Sequence, residues 1–137
     1  MLWAMALALG SVAVFEDLRR RSISNRINGS ALLAAVLYQA FHGGIPGLVL
    51  SMAGAFAGLA AFAILFWLGA MGGGDLKLMA AFGSMLGPSS ILLAALLASM
   101  IGGLMAGATL VWHRSRPTIP YAPAIVAGAW LTLLSKA

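Results

Sequence analysis

Long apolar runs alternate along this chain with short clusters of glycine, proline and charge. Residues 47–70 and 90–112 carry no charged side chain. At about 1.5 Å per residue, each is long enough to cross ~30 Å of hydrocarbon as a helix. Four shorter runs, 2–15, 29–41, 76–87 and 121–134, fall below the usual ~18-residue criterion. A helix packed against protein can be shorter than one facing lipid, so these also read as spans. Turn-forming clusters separate the runs: HGGIPG at 42–47, GGG at 72–74, LGPSS at 86–90 and RSRPTIP at 114–120. The pattern predicts an all-α polytopic membrane bundle of about six transmembrane helices with short connections, in a single domain over residues 1–137.

Composition supports the membrane assignment: 62% of the 137 residues are hydrophobic and 8% charged, which leaves too little polar surface for a water-exposed domain of this size. The N-terminal run has no basic stretch before it and is followed directly by acid and arginine, so it reads as a retained helix and not as a cleaved signal. Cysteine is absent, which removes disulfides, thiolate zinc sites and thiol nucleophiles. His42 and His113 lie apart at segment ends and read as solvated, with no metal site expected. The net charge of +5 is a topology signal in such a chain, not a nucleic-acid signal. With the N-terminus outside, Arg19, Arg20, Arg21, Arg26, Lys77, Arg114 and Arg116 all fall in cytoplasmic connections, leaving Lys136 outside. The same alternation sets Asp17 and Asp75 on one membrane face.

Only three residues are acidic, Glu16, Asp17 and Asp75. Asp75 lies between a glycine run and an apolar segment, in GAMGGGDLKLMAAFGSMLG at 69–87. Taken singly, Asp75 suits a helix N-cap. Asp17 suits an ion pair with Arg20 and Arg21 at i+3 and i+4 of a continuing helix. Taken together, two carboxylates in a small, partly desolvated site cannot both be ionised, so they share a proton. Such a pair activates water with one member and protonates a carbonyl with the other, needing neither metal nor cofactor. Gly72, Gly73 and Gly74 would let a substrate backbone approach Asp75 closely. Lys77 lies about 200° around the helix from Asp75 and reads as snorkelling to headgroups. Glu16 points about 100° from Asp17 and reads as an interfacial polar residue. Gly54 with Gly58, and Gly103 with Gly107, have the spacing that lets membrane helices approach closely.

The GxGD motif Gly72-Gly73-Gly74-Asp75, in the context GGGDLKLMAAFG, with DLRRRSISN after the first helix and IPYAPAI opening the last, resembles the type IV prepilin peptidases. These are membrane aspartyl proteases, and the likeness is greatest to the small members of tight-adherence pilus systems. The resemblance implies that Asp17 and Asp75 form the catalytic pair. It further implies that Gly72, Gly74 and Lys77 are motif residues and that Pro120, Tyr121 and Pro123 belong to a segment facing the site. Where the family often has Ile-Pro-Asn, this chain has Ile23-Ser24-Asn25.

By that likeness the activity is cleavage of the basic leader from a prepilin or pseudopilin after a glycine, at the cytoplasmic face of a bacterial inner membrane. The expected partners are the substrate's own hydrophobic helix, pilus assembly proteins and membrane lipids, with anionic headgroups held by Arg19, Arg20, Arg21 and Arg26. Larger relatives carry a cysteine-rich zinc loop and methylate the new N-terminus; this chain, without cysteine, is expected only to cleave. The competing class is a small transporter or channel subunit whose acids bind a cation or relay protons. That class needs acids near the bilayer midplane, and here they stand at helix ends. A headgroup transferase would need several clustered carboxylates for metal.

Overall fold

A computed structural model describes residues 1–112 and 119–136. It contains five helices among the described residues: α1 Leu2–Arg20, α2 Asn25–Trp67, α3 Gly73–Leu86, α4 Pro88–Trp112 and α5 Ala122–Ser135. The expectation of about six transmembrane helices is therefore corrected to five helices. Of these, α2 and α4 are long and apolar enough to cross a membrane.

The difference arises at HGGIPG. It was expected to be a turn between two helices; the run 29–41 and residues 47–67 of the next are joined in one 43-residue element, α2, as two helical segments that meet at a break at Gly44. Gly44, at φ 59° and ψ −147°, breaks the helical path with Pro46 just after it, and the chain turns back so sharply that a Cβ on Gly47 would overlap the Gln39 carbonyl. Glycine adopts that positive φ without the Cβ clash other residues meet. The triple glycine is likewise less of a loop than expected, since α3 starts at Gly73 with Gly72 as its N-cap. Between α3 and α4 the connection is Gly87 alone, at φ 81°, and α4 begins at Pro88, the position where proline's missing N–H costs least. Arg114, Arg116 and His113 lie outside the described residues.

Small residues set how closely the helices pack. A Cβ on Gly54 of α2 would overlap the carbonyl of Gly83 on α3, and one on Gly58 would overlap the Met79 carbonyl. The Gly54/Gly58 pair thus provides the close contact expected of it. Gly103 and Gly107 do not, because among the described residues nothing lies within 4 Å of a Cβ at either position. Their expected packing role passes to Gly102, where a Cβ would stand 2.6 Å from the Tyr121 ring. Helix α5 closes on α1 through Trp130, whose indole N–H donates to the Ala6 carbonyl at 3.3 Å. A Cβ on Gly10 would collide with that ring. Phe62, Leu78, Met79, Phe82, Ile91 and Ile125 are wholly buried at the centre.

Candidate active site

Helix periodicity brings Asp17 inward. Ala6, Leu9, Gly10, Ala13 and Asp17 form the buried face of α1, the i, i+3, i+4 stripe that lies against the other helices. Asp17 is only 5% exposed. Its Oδ2 accepts a hydrogen bond from the Ala122 N–H at 3.1 Å. Ala122 is the first residue of α5, where backbone donors have no partner within the helix. This bond favours the ionised carboxylate, but burial outweighs it and raises the proton affinity of Asp17 above the ordinary carboxylate range.

The ion pair expected at Arg20 and Arg21 required the helix to continue. It ends instead at Arg21, which takes the left-handed conformation at φ 51° and donates its N–H to the Asp17 carbonyl at 2.8 Å. Arg20 is exposed, while Arg21 lines the same cavity as Asp17. Glu16, expected to be merely interfacial, fastens the turn that follows: its carboxylate accepts from the Ser24 N–H at 2.9 Å. Ser24 then caps α2, its Oγ accepting from the Arg26 N–H at 3.3 Å. The serine that replaces the family's more usual proline therefore supplies a helix cap.

Asp75 is not the N-cap of α3. It occupies the third helical position and reaches back to the Gly72 N–H at 3.4 Å. Glycine offers no side chain in return, so only the carboxylate arm of a capping box exists. At that distance the bond holds the carboxylate weakly. Burial first, and the neighbouring Asp17 charge second, push the Asp75 carboxyl up to about 6, against the small opposing effect of the Gly72 N–H.

A cavity of about 590 Å³ is lined by both carboxylates, together with Arg21, the 69–72 loop, Ala106, Ile119, Pro120 and Tyr121. A smaller hollow of about 190 Å³ is again lined by Asp17 and Asp75, with Arg21, Ser22, Ile23 and Gly72 to Gly74. Residues 58 positions apart in sequence thus share one site. Its size is within the range of small-ligand pockets. Of the other residues singled out from sequence, Gly72, Pro120 and Tyr121 stand in the main cavity and Gly74 in the smaller one. Pro123, in the first turn of α5, is half-buried and outside both linings. Lys77 points elsewhere, its Nζ donating to Asn25 Oδ1 at 2.9 Å.

Three participants were missed. The Ala122 N–H is a backbone group, which no side-chain pattern reveals. Arg21 had been given to lipid and to an ion pair. Asn28 is buried, and its Nδ2 donates to the Gly74 carbonyl at 2.9 Å. The signal was slight, because Asn28 stands among the polar residues Asn25, Arg26 and Ser30 at the start of α2.

The sequence model describing the type IV leader peptidase family matches residues 3–107. The chain belongs to that family. Among similar proteins are those named prepilin leader peptidase/N-methyltransferase from Aeromonas hydrophila and from Bacillus subtilis (strain 168). The first is 30% identical over 130 residues, covering 88% of this chain and 44% of that protein. The second is 38% identical over 85 residues, covering 59% of this chain and 34% of that protein. A counterpart of the same name from Aeromonas salmonicida is 29% identical over 130 residues. This leader peptidase family member thus spans less than half the length of these relatives. No solved structure matches it. Its apolar helices and its bacterial relatives mark it as a membrane-associated bacterial protein.

Proposed function

We propose that this chain is a membrane aspartyl endopeptidase that removes the basic leader from prepilin-like proteins, after a glycine, at the cytoplasmic face of the membrane. The observation that carries the reading is that Asp17 and Asp75, distant in sequence, line one cavity and both hold protons more tightly than free carboxyls. In the working state the pair carries a single proton. Asp17, whose ionised form is favoured by the Ala122 N–H, takes a proton from water as that water attacks the scissile carbonyl carbon. Asp75 gives its proton to the carbonyl oxygen, producing a neutral tetrahedral diol. Collapse of the diol returns one hydroxyl proton to Asp75, breaks the C–N bond and passes the proton on Asp17 to the leaving amine. Pro120 and Tyr121 form part of the cavity wall, and the 69–72 loop offers the substrate backbone a side with little bulk. The cations Arg21, Arg26 and Lys77 cluster at the helix ends that carry the acids, which supports the cytoplasmic assignment. Only cleavage, and not methyl transfer, is proposed for this chain.

Co-expression with a prepilin, followed by gel mobility, tests the reading. Wild type should shorten the prepilin, whereas membrane-inserted Asp17→Asn and Asp75→Asn should each leave it uncut, a loss of at least about 10³-fold. Processing at the wild-type rate by either variant would refute the pair.

A further inference from the structure

We infer that Asn28 is a positioning residue for the carboxylate pair: its amide ties the peptide before Asp75 to the first turn of α2, which is joined to α1 by the short turn after Asp17, and so sets the separation of the two acids. Asn28 is 2% exposed, and its Nδ2 donates to the Gly74 carbonyl across 46 positions of sequence at 2.9 Å. Its Oδ1 is buried with no hydrogen-bond partner among the described residues. A buried acceptor without a partner costs stability, and an apolar side chain of that size would avoid the cost. The amide's distinctive contribution is a single directed bond, and that bond falls on the residue immediately before Asp75.

Gly74 is gripped from a second side. A Cβ there would stand 3.3 Å from the Ile23 carbonyl oxygen and 3.4 Å from the Ile23 nitrogen, so the backbone of α3 rests directly on the turn between α1 and α2. That turn is bound back to α1 by the Ser24 N–H to Glu16 bond. A continuous path therefore runs from the end of α1 through Ser24, Ile23 and Asn28 to Gly74, and the smaller hollow shared by both acids lies beside it. Without the amide, α3 is released from the turn and Asp75 moves toward solvent and away from Asp17. The groups facing Asp75 across the cavity are Asp17 from α1, Arg21 from the following turn and Tyr121 before α5. Lys77, on its own helix, is bound to Asn25. With Asp75 more solvated and the Asp17 charge more distant, its proton should be released at lower pH.

The catalytic consequence rests on the proposed peptidase reading, but the geometry is testable without it. The chain contains two aspartates, so the full-length protein in micelles, labelled with carboxyl-¹³C aspartate, gives two signals to titrate, assigned with Asp17→Asn and Asp75→Asn. In Asn28→Leu, shown to be folded by circular dichroism and monodisperse elution, the Asp75 midpoint should fall by about half a pH unit or more. Prepilin cleavage should then lose about tenfold in kcat with little change in KM. Asn28→Ala removes the amide without adding bulk and serves if the leucine variant does not fold. Asn28→Asp should regain cleavage only at low pH, where a neutral carboxyl can donate to the Gly74 carbonyl. An Asp75 midpoint unchanged in a folded variant lacking the amide overturns the inference, whether or not the protein cleaves prepilin. A shifted midpoint in a protein that cleaves no prepilin upholds the inference and rejects the peptidase reading instead.

Discussion

A carboxyl that binds its proton more tightly in the fold than in the open chain lowers stability wherever it is ionised. Asp75 is such a group, raised from 3.8 to about 6. Between those values the unfolded chain binds fewer protons than the fold, so stability falls as pH rises through the window and stays lowered above it. Asp75→Asn should therefore stabilise the fold in detergent at about pH 7.5 by on the order of 1 kcal/mol after solvent screening, read as a higher apparent melting temperature. The gain should vanish by about pH 4. A stabilising substitution at a proposed catalytic residue is the expected sign of a site maintained for chemistry. At this scale much was legible: of three acids in the chain, Asp17 and Asp75 were singled out, and these two line the cavity. The Ala122 N–H bond on Asp17 was not legible, since it depends on where α5 begins in space. Nor was the role of Glu16, because closing the 21–24 turn depends on Arg21 taking a left-handed conformation.

Among the helices, hydropathy located the apolar segments but not the breaks between them. Gly43, Gly44 and Pro46 look like a loop in sequence. Pro46 nevertheless lies inside α2 just after the Gly44 break, and the polar Gln39 finds a partner in the Ser84 carbonyl at 2.6 Å. Two helical segments, folded back at Gly44, make up the single element α2. Glycine spacing was similarly ambiguous, since Gly54/Gly58 and Gly103/Gly107 present the same pattern and only the first meets a neighbouring backbone. The two pairs should respond in opposite ways to added methyl groups. Gly54→Ala drives a Cβ into the Gly83 carbonyl and should cost about 2–4 kcal/mol. Gly103→Ala meets no neighbour among the described residues and should be neutral or stabilising by up to about 1 kcal/mol through helix propensity. Thermal melts of the two variants in the same detergent make the comparison, and equal losses would contradict the α2–α3 packing described above.

Across the whole molecule, apolar side chains face outward along most of its length. Phe41, Trp67, Val111 and Trp112 are each at least 85% exposed, which suits lipid rather than water. Trp67 and Trp112 close the two helices long enough to span, a place favoured by tryptophan at the boundary between hydrocarbon and headgroups. The cavity opens at that end, beside the loop following Trp67. A substrate that is itself an apolar helix with a polar leader would have its junction at the same level. The proposed chemistry needs one proton on the carboxylate pair, so the most direct measurement is the pH dependence of kcat/KM for prepilin cleavage by the purified protein, which reports the free enzyme. The rate constant should fall above about pH 6 as Asp75 loses its proton, and fall again at lower pH as Asp17 gains one. A constant kcat/KM from about pH 5 to pH 8, or one that rises throughout that range, would contradict a shared-proton aspartyl pair.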